Sequence, residues 1–452
     1  MADELACFKA YDIRGRVPSE LNPDLARRIG LAFAAEFAPD RVCVGYDIRL
    51  SSRDLALALQ EGLVRGGAHS VDIGLCGTEE VYHATFSQGF GGGIMVTASH
   101  NPADWNGMKM VLAGAAPLNG DSGLMTLRDR VARGDLPQSG RRGQRRKASF
   151  RAGYIALLLS LLGAGGAKAL RPLRIVANAG NGCAGPVLRE IAAPLPGTVI
   201  PLYDQPDGTF PNGVPNPLLP ENRAATREAV LRHKADLGLA FDGDFDRCFF
   251  FDEQGCFVES YYLIGLLAAD LLADHPGGSI LHDPRLVWNT REVVEEAGGT
   301  AVEDRTGHAF MKARMRRDNL LYGGEMSGHH YFRDFSWCDS GMLVWLLLWR
   351  LMSRADTTLS ELVAARMRRY PVSGEINRSV ADAQAVLDRV EARYGPKALS
   401  VGHIDGLSVD MGDWRFNMRA SNTEPLLRLN VESRGDTALM AAKRDELLGW
   451  MV

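Results

Sequence analysis

Four short strings hold most of the side chains in this 452-residue chain that could do chemistry together. The first is Thr97-Ala98-Ser99-His100-Asn101-Pro102. Its small residues let an anion approach the backbone, Ser99 offers a hydroxyl, and Pro102 stops regular structure. A Ser-His pair is also common in plain turns. Here, however, Trp105-Asn106-Gly107-Met108-Lys109 follows, and Lys109 can return to neutralise a phosphate as a point charge. The second string is Asp242-Gly243-Asp244-Phe245-Asp246-Arg247. In an extended segment its three carboxylates point the same way. They repel one another unless a cation sits between them, and oxygen-only ligation selects a hard ion such as Mg²⁺.

Two rivals share the aspartate pattern. An EF-hand loop would use Glu253 at its twelfth position, but Arg247 stands where the turn glycine belongs and Cys248-Phe249-Phe250-Phe251 reads as strand. A haloacid-dehalogenase-type phosphatase would use Asp242 as nucleophile, but the residue after Phe245 is then Asp rather than a hydroxyl or β-branched residue. The third string, Gly323-Gly324-Glu325-Met326-Ser327-Gly328-His329, sets a carboxylate two residues from a hydroxyl, a pair able to bind vicinal sugar hydroxyls. Taken alone it reads better as a glycine-rich turn with a capping serine. The fourth, Arg419-Ala420-Ser421-Asn422-Thr423-Glu424-Pro425 with Arg428 beyond it, reads as an anion cradle. It also carries helix-start signals, and a helix N-terminus itself attracts anions. Arg305-Thr306-Gly307-His308 and Lys9-Ala10-Tyr11-Asp12-Ile13-Arg14-Gly15 add basic and titratable groups in turns. His308 is a candidate acid or base, although a lone histidine is more often structural.

These strings need elements to position them. Three times a β-branched run meets a polar or glycine-rich turn and then a helical stretch: from Arg41, from Leu173 and from Ser279. Each unit is followed by a second strand feeding one of the first three strings. The alternation predicts α/β units with mixed or mainly parallel sheets. Ligands in such sheets sit at the carboxyl ends of strands, so the three loops suggest one shared site. Gln138 to Lys147 is basic, lacks apolar residues and reads as an exposed linker or loop. Beyond Tyr370-Pro371 the pattern changes to a smaller mixed domain.

Hydrophobic residues make up 46% and charged residues 23%, the balance of a globular protein with several cores. A formal charge of −4 provides no global field for nucleic acid or an anionic membrane. Seven scattered cysteines, odd in number and without a CxxC pair, argue against a disulfide framework or zinc and for a reducing compartment. The N-terminus lacks the basic and apolar regions of a signal peptide. The apolar run from Gly341 to Trp349 is too short to span a bilayer and predicts a buried helix. The expected setting is the cytoplasm.

TASHNP, DGDFDR, GEMSGH and RASNTEP, in this order and after the opening FKAYDIRG, resemble the α-D-phosphohexomutases, most closely the bacterial phosphomannomutase/phosphoglucomutase branch. The resemblance covers nearly the whole chain. It implies three related α/β domains with mixed sheets plus a smaller C-terminal α+β domain, around a central cleft. The expected boundaries are 1–145, 146–247, 248–368 and 369–452. Ser99 would carry the phosphoryl group, and one of its phosphate oxygens would join Asp242, Asp244 and Asp246 around Mg²⁺. Ser99, His100, Lys109 and His308 are the expected catalytic residues. Tyr11, Arg14, Arg247, Arg285, Gly307, His308, Glu325 and Ser327 are expected to bind substrate. Arg419, Ser421, Asn422, Thr423 and Arg428 would grip the phosphate that is not reacting. Met326 stands where relatives acting on glucosamine phosphate usually have Gln, and Arg285 where the family often has Lys. An arginine stays protonated, which speaks against a proton-transfer role there.

The implied activity is interconversion of mannose 1-phosphate and mannose 6-phosphate, with the glucose phosphates also accepted, through a 1,6-bisphosphohexose. Mg²⁺ is the implied cofactor, a hexose 1,6-bisphosphate the activator, and hexose phosphates the partners. Neither nucleic acid nor membrane is expected, and the chain is expected to be a monomer. Alternatives are a Mg²⁺-dependent sugar-phosphate phosphatase, a phosphoglucosamine mutase and a non-catalytic sugar-phosphate binder. A kinase is disfavoured because no Walker GxxxxGK[ST] loop occurs.

Overall fold

The computed structural model describes residues 5–140, 142–420 and 426–451. Two compact units divide them: 5–257 with 307–317 and 329–356, and 258–306 with 318–328 and 357–451.

In the first unit, strand Arg41–Tyr46 runs parallel to both His69–Leu75 and Gly92–Val96. Trp105–Leu112 then pairs antiparallel with Gly92–Val96 and with Ile13–Arg16, making a mixed sheet. All five residues of Gly92–Val96 are buried, as expected of a central strand. Helix Pro23–Phe37 starts at an Asn22 cap with proline in its first turn, and Leu25, Ile29 and Phe33 repeat every four residues on its buried face. It crosses helix Ser52–Arg65 very closely. A Cβ on Gly30 would lie 2.2 Å from the Leu59 carbonyl, and one on Gly62 2.1 Å from that of Arg27. Only glycine permits that approach.

A second mixed sheet orders Cys248–Phe251, Leu237–Phe241, Arg174–Asn178 and Thr198–Leu202, antiparallel at the first pairing and parallel at the others. The hairpin His330–Phe332/Cys338–Asp339 and the helix Gly341–Ala355 also belong to this unit. That helix is the apolar run of the sequence, and Gly341 to Trp349 are all buried. Among the described residues no helix is long and apolar enough to cross a membrane.

In the second unit, Ser279–His282 lies parallel to Thr300–Glu303 and Tyr322–Gly324, with helices Ser260–Asp274 and Trp288–Glu296 alongside. The C-terminal sheet is antiparallel throughout, in the order Ile376–Ser379, Leu426–Ser433, Trp414–Ala420, Leu407–Asp410, Ser400–Gly402. Helices Ala383–Tyr394 and Thr437–Leu448 bury Val390 and Leu447 in its core. All three strand–turn–helix repeats read in the sequence are present, as Arg41–Tyr46 with Ser52–Arg65, Arg174–Asn178 with Ala184–Ala192, and Ser279–His282 with Trp288–Glu296.

Three local expectations are corrected. Arg145–Lys147, within the stretch read as linker, is an edge strand parallel to His69–Leu75. Its side chains are exposed, and backbone pairing needs no apolar residue. No helix starts after the fourth string, because Leu426 opens a strand paired with Trp414–Ala420. The aspartate string is not extended. Phe245 has φ 50°, and the six residues turn between Phe241 and Cys248, which pair across an antiparallel hairpin.

Candidate active site

Three loops of the first unit leave the carboxyl ends of buried strands and meet. Gly92–Val96 delivers Ser99, Arg41–Tyr46 delivers Asp47 and Arg49, and Leu237–Phe241 delivers the aspartates. Ser99 is 2% exposed and has φ 50°, a left-handed conformation that costs a non-glycine residue about 1 kcal/mol or more. Its neighbours hold it there. Ser99 N–H donates to Thr97 Oγ1 at 2.8 Å, and Thr97 Oγ1 donates to Asp47 Oδ2 at 2.6 Å. The buried Arg49 guanidinium donates to four carbonyls of the loop, those of Ser99 (2.9 Å), Asn101, Pro102 (2.6 Å) and Trp105 (3.0 Å). A Cβ on Gly243 would lie 2.6 Å from the Ser99 carbonyl, so this glycine lets the serine loop and the aspartate loop touch backbone to backbone.

The Ser99 hydroxyl donates to Asp242 Oδ2 at 2.7 Å and lies 3.0 Å from His100 Nδ1. Arg247 donates to Asp242 Oδ2 through Nε (2.9 Å) and Nη2 (2.8 Å), to Ser99 Oγ at 3.3 Å, and also contacts His100 Nδ1. Burial pushes the Asp242 carboxyl up to about 7 even against Arg247. Burial also penalises Asp246, but Lys109 and Arg247 outweigh it and hold that carboxyl below the usual range. Lys109 Nζ donates to Asp244 Oδ2 at 2.7 Å and to Asp246 Oδ2. Despite complete burial, these two carboxylates keep the ammonium charged.

Asp242, Asp244 and Asp246 each offer an oxygen within 4.8 Å of the others. Asp244 Oδ1 and Asp246 Oδ1 are buried without a hydrogen-bond partner among the described residues. Oxygen donors in this state fit a hard divalent cation, since a buried charged acceptor without a partner is costly. Thr78 anchors the loop from behind, with its N–H on the Asp244 carbonyl at 3.1 Å.

Arg14 donates to Asp12 at 2.7 Å and to Asn101 Oδ1, which ties the N-terminal string to the serine loop. Gly307 accepts the Phe310 N–H at 2.9 Å, where helix His308–Asp318 begins. Tyr11 meets the His308 ring edge-on at 5.4 Å. Burial, and then Lys312 and Lys109, hold His308 neutral, and both its ring nitrogens lack a hydrogen-bond partner among the described residues. His100 is neutral for the same first reason, helped by Arg247. His329, which the sequence reading left without a role, stacks on His308 at 6.1 Å and brings Nε2 to 4.0 Å from Asp246 Oδ1. Its signal was its position at the end of the third string. Asp47 and Arg49 were also missed as site residues. Their Asp-x-Arg spacing directly after a strand was visible, but not that four carbonyls would close on one guanidinium.

The second unit holds the remaining residues. Glu325 follows strand Tyr322–Gly324 and is 2% exposed, and Ser327 lies in the same turn. The loop is fixed by Met326 N–H donating to Asp283 Oδ2 at 2.8 Å, and the same oxygen accepts from Arg285 Nη2 at 2.7 Å. Arg419 and Arg428 are direct cross-strand partners. Ser421, Asn422 and Thr423 lie outside the described residues.

Four family descriptions match in chain order: phosphoglucomutase/phosphomannomutase alpha/beta/alpha domain I over residues 6–135, domain II over 152–255, domain III over 259–370, and the C-terminal domain over 375–449. The phosphomannomutase of Salmonella montevideo is 54% identical over 453 residues, covering 99% of each chain. A Xanthomonas campestris pv. campestris protein named phosphohexose mutases is 53% identical over 443 residues, covering 98% of each. The crystal structure of a phosphoglucomutase/phosphomannomutase family protein from Burkholderia thailandensis superposes with a TM-score of 0.88 at 32% identity, covering 98% of this chain and 96% of that one. A fold of three α/β domains and a C-terminal domain, with a serine set against an acidic cluster, defines a class of phosphoryl-transferring sugar mutases. The chain belongs to the phosphoglucomutase/phosphomannomutase family.

Proposed function

We propose that the chain interconverts mannose 1-phosphate and mannose 6-phosphate, and accepts the glucose phosphates, through phospho-Ser99 and a 1,6-bisphosphohexose. The observation that carries this reading is the 2.7 Å contact between Ser99 Oγ and Asp242 inside a cluster suited to a divalent cation. The names of relatives about half identical over their full length support it.

Phosphoryl transfer depends on positioning and charge neutralisation. Asp242, Asp244 and Asp246 would hold Mg²⁺, which supplies positive charge at the phosphoryl oxygens. Arg247 and Lys109 add fixed cations to the same oxygens. The free hydroxyl of a hexose monophosphate attacks phosphorus, and the Ser99 oxygen leaves. In this reading neutral His308, against which Tyr11 packs, would accept the hydroxyl proton, and His100 lies beside the leaving oxygen. The bisphosphate turns end for end and returns its other phosphoryl group to Ser99. Arg14, Gly307, Arg285, Glu325 and Ser327 take substrate-binding roles. A clamp of Glu325 and Ser327 on the C3 and C4 hydroxyls tolerates both sugars, which differ at C2. Arg419, Arg428 and the Ser421-Asn422-Thr423 segment grip the non-reacting phosphate. Arg285 stays protonated, which suits it to anion binding.

Incubation with mannose 1-phosphate, Mg²⁺ and a trace of glucose 1,6-bisphosphate tests the reading. Mannose 6-phosphate without net phosphate release is expected. Stoichiometric release of phosphate would make the chain a phosphatase, and binding without turnover would make it a sugar-phosphate receptor.

A further inference from the structure

Glu375 stands just before strand Ile376–Ser379 and has no role in the chemistry above. Its carboxylate lies among three guanidiniums of its own unit: 3.1 Å from Arg285 Nη1, 3.6 Å from Arg419 Nη2 and 3.5 Å from Arg428 Nη1. Each distance is longer than the roughly 2.7–2.9 Å of a locked arginine–carboxylate pair. The carboxylate is therefore shared among three cations rather than fixed to one. Burial penalises its charge, but the three arginines outweigh this and keep it ionised.

The arginines are not satisfied by it. Arg419 Nε and Arg428 Nε are buried without a hydrogen-bond partner among the described residues. Arg419 and Arg428 face each other across paired strands, where like charges repel. Asp283 on Arg285 and Asp405 on Arg419 at 3.5 Å complete the balance of charge with Glu375, so an arriving phosphate competes with carboxylates for the spare donors. Arg285 also holds Asp283, which holds the Met326 N–H, so the cluster is braced from the sugar-binding turn.

We propose that Glu375 is an internal counter-anion that weakens the grip of Arg285, Arg419 and Arg428 on a phosphate monoester, so that the bisphosphate can be let go and taken up again in the other orientation. The inference rests on the mutase reading above for its purpose, but not for its electrostatics. A grip that is too strong stabilises the bound ground state and lowers turnover.

The test uses the full chain with Glu375→Gln, which keeps the shape and removes the charge. Inorganic phosphate is the probe, followed by calorimetry and as a competitive inhibitor. Phosphate should bind about tenfold more tightly to the variant, equivalent to ~1.4 kcal/mol. KM for mannose 1-phosphate and kcat should fall together, because loss of counter-charge favours binding over release. Glu375→Asp, which keeps the charge, should bind phosphate within about twofold of wild type. Unchanged or weaker phosphate binding by Glu375→Gln would overturn the inference, since it would make Glu375 a brace for the arginines. If that variant does not fold, Glu375→Ala replaces it with the same expected tightening. Phosphate binding requires no turnover, so tightening in a chain without isomerase activity would refute the mutase reading and leave the counter-anion in place.

Discussion

The hydroxyl of Ser99 donates to Asp242 Oδ2 at 2.7 Å although 143 residues separate the two in sequence. The contact exists because two strands end at the same edge of the first unit and Gly243 lets their loops touch. Phosphoryl transfer at Ser99 should therefore depend on residues that never meet substrate.

Arg49 is the first of these. Replacing it with Lys leaves the charge but cannot span four carbonyls. Hydrogen bonds to a charged group contribute about 1.5–3 kcal/mol each, so losing even one correctly placed contact should lower kcat by roughly tenfold to a hundredfold. KM should change little, because Arg49 holds the serine loop from behind. Steady-state kinetics of Arg49→Lys checks this split.

Gly243→Ala should separate the serine loop from the aspartate loop. The added Cβ would lie 2.6 Å from the Ser99 carbonyl, and one of the two loops must move. Activity should fall by at least tenfold, while the thermal midpoint shifts by only a few degrees. Calorimetry beside the isomerase assay distinguishes this from general unfolding.

The chemical strings were legible because each keeps its reactive residues together in sequence. What the spacing could not reveal was the turn. The aspartates converge through a left-handed Phe245, not through the alternation of a strand. Asp47, Arg49 and Glu375 were not legible as site residues, since each acts on groups brought near only by tertiary folding. Arg145–Lys147 was misread because exposed side chains conceal paired backbone. The strand–turn–helix repeats, by contrast, were readable because burial of alternate elements leaves a regular apolar pattern.

Removing divalent metal should abolish turnover, and added Mg²⁺ should restore it. Mg²⁺ should also raise the thermal midpoint of the wild-type chain, because a ligand that binds only the folded state stabilises it. Asp244→Asn and Asp246→Asn should each lose most of that increment and at least a hundredfold in activity. Full activity in excess EDTA would contradict the assignment of the three aspartates.

Stability should fall on mild acidification. Burial pulls His83 down to about 4 and His330 down to about 3. Between these values and the ordinary 6.5 the unfolded chain binds protons that the folded chain refuses, so stability rises with pH across that range and is lost as pH drops below 6.5. Each histidine contributes a slope of up to ~1.4 kcal/mol per pH unit. His83 Nδ1 has no hydrogen-bond partner among the described residues, and the ring packs on Phe86 and Tyr154, so His83→Phe should fold and show a shallower acid slope. Urea midpoints at pH 7 and pH 5 for both chains measure the difference.

The most direct measurement is phosphorylation and turnover of one residue. The chain is incubated with glucose 1,6-bisphosphate, its mass and the phosphorylated peptide are determined, and Ser99→Ala is assayed beside it. The expected result is a single added phosphoryl group on the peptide containing Ser99, absent from the variant, with isomerase activity reduced at least a thousandfold. A phosphoryl group on another residue, or a Ser99→Ala chain that isomerises mannose 1-phosphate at the wild-type rate, would contradict a mechanism built on Ser99 facing Asp242.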